Sequence, residues 1–80
     1  MLYVYLIESQ TIPAHRYIGV TADLKRRLAD HNRGKVSHTS THAPWRLITY
    51  TAFTSPLRAQ AFERYLKSGS GHAFARKHLW

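Results

Sequence analysis

The chain predicts an α+β fold, a small three-stranded and mainly antiparallel sheet flanked by helices in the order β-β-α-β-α-α. Three observations predict it. The segments Leu2–Glu8, Arg16–Val20 and Trp45–Phe53 are rich in the β-branched and aromatic residues that favour strands. Between the last two lies a stretch that places Leu24, Leu28 and His31 on one side of a helix. Ser55 followed by Pro56 is a strong helix start, and a second helical stripe of Ala59, Phe62 and Leu66 follows it.

Taken in order, the first strand alternates Tyr3, Tyr5 and Ile7 on one face with Leu2, Val4 and Leu6 on the other. Ser9–His15, which contains Pro13, reads as a hairpin loop, and Arg16–Val20 as the returning strand. Thr21 can cap a helix running to about Arg33, with Asp23 in its first turn and Gly34 stopping it. Lys35–Pro44 is polar and reads as a surface loop before the third strand. The helix begun at Pro56 is expected to end at Gly69 and Gly71, leaving His72–His78 for a short last helix.

Eighty residues suit one domain, 1–80, with a single modest core. No linker, repeat or low-complexity tract interrupts it. No apolar run approaches the ~20 residues of a membrane span. Leu2–Ile7 is too short for a signal peptide and no basic residue precedes it, so the expected address is the cytoplasm, with no membrane partner. Without cysteine there is neither a disulfide nor a cysteine-ligated zinc.

Twelve Lys and Arg face four acids, Glu8, Asp23, Asp30 and Glu63, for a net charge of +8. Such a balance favours a polyanion, nucleic acid first. It also limits chemistry, because a two-metal nuclease needs several carboxylates. Any metal site here has one carboxylate and many waters. There is no Walker loop, dinucleotide fingerprint or nucleophile elbow.

Four features remain to be explained. A hairpin register pairing Ile7 with Tyr17 sets Gly19 opposite Tyr5, leaving a gap beside a phenol that a phosphate or hydrated metal can approach. Singly, such tyrosines serve packing, and Gly19 can mark a bulge. Arg27 sits at the edge of an apolar helix face and needs a partner: Asp23 or Asp30 on its own helix, or a phosphate held bidentately. Glu63 borders the second stripe among Arg58, Arg64 and Lys67, as a surface ion pair or a metal ligand. His38 and His42 are four apart but lack a third ligand, so a zinc site is weakly supported.

In this order, Tyr3-Val4-Tyr5, Tyr17-Ile18-Gly19, Arg27 with His31 four residues later, and Glu63 on a later helix resemble the GIY-YIG nuclease family over nearly the whole chain. The chain resembles its small stand-alone members, related to the excinuclease C N-terminal domain and to homing endonucleases. The resemblance implies in-line hydrolysis of DNA phosphodiester bonds with one Mg²⁺ (or Mn²⁺) held by Glu63, leaving 5′-phosphate and 3′-hydroxyl ends. Tyr5 or Tyr17 would take the proton of the attacking water, with Arg27 and the positive field helping to lower the phenol pKa. Arg27 would neutralise the scissile phosphate, and His31 would assist by hydrogen bonding or protonation. Gly19, Arg26, Lys35, His38 and Lys67 are expected on the substrate side. Two departures stand out: Tyr3 occupies the place of the first-motif glycine, and the asparagine that some members carry near the C-terminus is absent.

The expected activity is thus a structure-directed DNA endonuclease in DNA repair or processing, with nicked or branched DNA as substrate, RNA left open, and a protein partner supplying specificity. The rival readings are a non-catalytic nucleic-acid-binding module on the same fold and a docking domain whose charge serves solubility.

Overall fold

A computed structural model describes residues 1–80. The apolar run of β1, Leu2–Ser9, is the middle strand of a sheet ordered β2-β1-β3, with β2 at Arg16–Thr21 and β3 at Trp45–Phe53. Both neighbours are antiparallel to it. A central strand covered on both faces must be apolar on both, and Val4 through Ile7 are all at most 1% exposed. On the β3 side the register slips between Leu6 and Ile7, a bulge that leaves Ile48 unpaired.

Each face of β1 carries its own core. Val4 and Leu6 pack with Ile18 against Ala59, Leu66 and Ala75, which come from α2 (Pro56–Leu66) and α3 (Gly69–His78). Tyr5 and Ile7 pack with Trp45 against Leu24 and Leu28 of α1, Leu24–Asn32. The sheet therefore lies between α1 and the α2–α3 pair. Full burial of a side chain such as Leu66 stabilises by about 1.5–3 kcal/mol. At the far end of β1, Glu8 pairs with Arg16 at 3.2 Å and Arg46 at 3.0 Å, one on each neighbouring strand. Hydrogen bonds from Arg46 and Arg16 hold its carboxyl below the usual carboxylate range.

The expected strands and helices form, and three details differ. Asp23, not Thr21, caps α1: its side chain accepts from the Arg26 amide at 3.1 Å. Thr21 is still extended as the last residue of β2, and its Oγ1 accepts from the Asp23 amide at 3.1 Å. Gly34 follows α1 at a φ of 74°, a left-handed conformation that glycine adopts without strain. Gly69 and Gly71 do not end α2; they open α3, which Ser68 caps by accepting from the Gly71 amide at 3.3 Å. A side chain at Gly71 would collide with the Tyr65 carbonyl, so glycine here lets α3 turn directly off the end of α2. The 35–44 loop is not wholly superficial: it holds a 3-10 turn at Ser40–His42, and Thr39 within it is 1% exposed. No helix is long and apolar enough to cross a membrane.

Candidate functional site

The hairpin register pairs Tyr5 with Gly19 and Ile7 with Tyr17, as the alternation of the two strands requires. The gap expected beside Gly19 is filled by Tyr5 itself. A Cβ on Gly19 would meet the Tyr5 hydroxyl and lie 2.6 Å from its Cζ, so the missing side chain is the space through which the phenol crosses β2.

The Tyr5 hydroxyl ends between two side chains of α1. Arg27 Nε donates to it at 3.4 Å, and His31 Nε2 lies 2.8 Å from it. Arg27 and His31 are one turn apart, so α1 presents both to the same phenol. Neither Asp23 nor Asp30 takes the guanidinium, since none of the three ion pairs involves Arg27.

His31 is fully buried and its Nδ1 is 2.7 Å from Thr39 Oγ1. Thr39 Oγ1 in turn donates to the Val36 carbonyl at 3.3 Å. The threonine proton is thereby used, so Thr39 accepts from Nδ1–H, and the bare Nε2 accepts from the Tyr5 hydroxyl. Burial, aided by the Arg27 charge, pushes the His31 pKa down to about 4. At neutral pH His31 is therefore a neutral hydrogen-bond acceptor. Arg27 does pull the Tyr5 phenol pKa down as expected, but the net shift is upward. Burial raises the Tyr5 pKa and outweighs the opposing hydrogen bond from Arg27. The Tyr5 hydrogen bond in turn raises the pKa of Arg27, with the nearby Tyr17 hydroxyl adding to the effect.

Tyr17 stands at the open side of this cluster. Its ring lies 5.1 Å from that of His31 and 6.3 Å from that of Tyr5, and unlike Tyr5 it is only partly buried. From the other side of the sheet edge, Lys67 Nζ reaches to 6.0 Å from the Tyr17 ring centroid and pairs with Glu63 at 3.0 Å. The Glu63 side chain is 26% exposed, and its charge is close enough to act on the Tyr5 phenol. The structure thus gathers Tyr5, Tyr17, Gly19, Arg27 and His31, with Glu63 and Lys67 at their rim.

Arg26, Lys35 and His38 are exposed on α1 and the following loop, and none of them enters an ion pair with these groups. His42 stacks on His15 with centroids 3.8 Å apart, and no group of three His, Asp or Glu side chains is arranged to hold a metal. Thr39, not among the expected site residues, joins the cluster instead of His38. Its neighbour His38 carried the recognisable chemistry, whereas the burial of Thr39 depends on Trp45, whose Nε1 donates to the Thr39 carbonyl at 2.8 Å.

A single solvent-reached carboxylate suits a hard cation that keeps most of its waters, and Glu63 offers that donor.

Residues 1–76 match the family of the GIY-YIG catalytic domain. The chain is 39% identical over 66 residues to a UPF0213 protein of Streptococcus pneumoniae serotype 4, covering 81% of this chain and 65% of that protein. It is 35% identical over 65 residues to a structure-specific endonuclease subunit SLX1 homolog of Giardia intestinalis, covering 76% of this chain but 18% of that protein. The solution NMR structure of the UPF0213 protein BH0048 from Bacillus halodurans superposes with a TM-score of 0.57 at 31% identity, over 96% of this chain and 84% of that one. The chain therefore belongs to the GIY-YIG family of nucleases.

Proposed function

We propose that this domain is a metal-dependent DNA endonuclease. The observation that carries the reading is Arg27, a partly buried cation with no carboxylate partner, resting on the Tyr5 hydroxyl near Tyr17. Its planar guanidinium, always charged, suits a phosphate as a bidentate clamp and would offset the charge of the transition state. Tyr5 is enclosed and hydrogen-bonded on both sides, so it positions Arg27. Tyr17 is the phenol that solvent reaches; it orients the attacking water and, as phenolate, receives its proton. His31 stays neutral and fixes the Tyr5 hydroxyl. Glu63 would hold Mg²⁺ or Mn²⁺, and the bound ion would supply positive charge to the leaving 3′ oxygen.

The Giardia relative is named as a subunit of a structure-specific endonuclease. We extend structure-specific cutting to this chain and take nicked or branched DNA, met in repair or processing, as its substrate, with a protein partner that supplies specificity. A second reading, a binding module without catalysis, is favoured by one observation: Lys67 already neutralises Glu63. Cleavage of nicked, branched and plain duplex DNA with Mg²⁺ separates the two. Cutting that Glu63→Ala abolishes supports the nuclease, and salt-sensitive binding without cutting, unchanged by Glu63→Ala, supports the module.

A further inference from the structure

Two concavities run together along β2, between that strand and α3, with Lys67 just past the end of α2 at one end. The smaller, about 210 Å³, begins at Tyr17 and Lys67. The larger, about 400 Å³, ends at Arg76 and Trp80. They share Arg16, Ile18 and His72, and so form one groove leading away from Tyr17 and Lys67, the lysine that pairs with Glu63.

The groove is cationic and its cations are differently committed. Arg16 is fixed by Glu8 at 3.2 Å and lies over the Trp80 ring, 4.8 Å from its centroid. Guanidinium and indole together make a braced, planar wall. Arg76 and His72, both exposed on one face of α3 one turn apart, enter no ion pair. The acids near the groove are already occupied, Glu8 by Arg16 and Arg46 and Glu63 by Lys67.

We propose that this groove seats an unpaired nucleotide of the strand being cut, its base against the Arg16–Trp80 wall and its phosphate between His72 and Arg76. The inference rests on the nuclease reading and narrows its substrate to DNA with a single-stranded segment beside the scissile bond. A duplex backbone is a convex ridge that exposed cations meet without any pocket. Here the cations line a concavity of ligand-pocket size beside a planar wall, the arrangement that receives an unstacked base.

The test is binding of labelled DNA in EDTA, read by anisotropy with the intact protein, comparing a blunt duplex with the same duplex bearing a single-stranded overhang. Stacking of one base predicts that the overhang binds about tenfold tighter. Arg76→Ala should remove most of that preference and leave blunt-duplex binding nearly unchanged. Lys77→Ala, which removes the same charge from the next residue of α3, should keep the preference. Equal binding of both DNAs by the wild type overturns the proposal. So does an Arg76→Ala variant that weakens both equally, which would assign the groove to duplex backbone. Because no metal or cleavage enters this readout, an inactive protein that prefers the overhang defeats only the nuclease reading. Metal-dependent cutting without overhang preference defeats only the groove.

Discussion

Lys67 Nζ holds the Glu63 carboxylate at 3.0 Å from one helical turn away and lies 6.0 Å from the centroid of the Tyr17 ring. The pair is half-exposed, and such pairs contribute roughly 0–1 kcal/mol, little enough for a divalent ion to displace. Lys67→Met should therefore lower the half-saturating Mg²⁺ concentration for cleavage by about two- to fivefold while weakening DNA binding. Titrating activity with Mg²⁺ checks the first effect. An unchanged or raised Mg²⁺ requirement would mean that Lys67 does not compete for Glu63.

Gly19→Ala tests the crossing of the Tyr5 phenol. The added methyl occupies the space of the ring, which sheet pairing on one side and α1 on the other prevent from retreating. Overpacking of this kind costs about 1–3 kcal/mol. We expect that loss in chemical denaturation, with cleavage down by at least about tenfold because Arg27 loses its rest. Full activity in a destabilised variant would detach Tyr5 from the chemistry.

The depressed pKa of His31 makes stability depend on acidity with a definite sign. The folded value of about 4 lies below the ordinary 6.5, so between these values the unfolded chain binds more protons. The stability contributed by neutral His31 is fully present above about pH 6.5 and is lost as pH falls toward about 4, by up to about 3 kcal/mol. In NMR titrations the His31 ring signals should keep their neutral-form positions down to about pH 5. A midpoint near 6.5 would refute the assignment.

Thr39→Val keeps the shape of the side chain and removes the acceptor of His31 Nδ1–H. An unsatisfied buried donor costs about 1–3 kcal/mol. The valine variant should melt earlier by that measure and cut more slowly as the imidazole loses its fixed orientation, and Thr39→Ser should restore much of both. Serine behaving like valine would assign the role of Thr39 to packing.

The hairpin register, the strand limits and the Arg27–His31 spacing were legible because period-2 and one-turn rules act locally, and the structure pairs Ile7 with Tyr17 as those rules require. The enclosure of Tyr5 was not, because it needs α1 and the 35–44 loop folded over the strand. Thr39 stood outside the expected site for the same reason: a threonine in a polar stretch becomes a fixed acceptor only once Trp45 ties its carbonyl down. The capping of α1 turned on where β2 ends, and the role of Gly71 on where α2 stops, and both depend on contacts between elements. Local pattern marked the residue types, while burial decided which of them stay neutral, which stay charged and which meet solvent.

The middle place of β1 in the sheet has a consequence for synthesis. Leu2 pairs with Phe53 and Tyr5 with Tyr50, so the earliest strand waits for the third before its second edge is closed. Contacts so distant along the chain form late and slowly. A chain still emerging from the ribosome carries both tyrosines and Arg27 well before Glu63, on a sheet with a ragged edge and no lid from α2. The complete cleft therefore arises only once α2 has followed β3 into place, so the cationic groups of α1 precede their carboxylate along the chain.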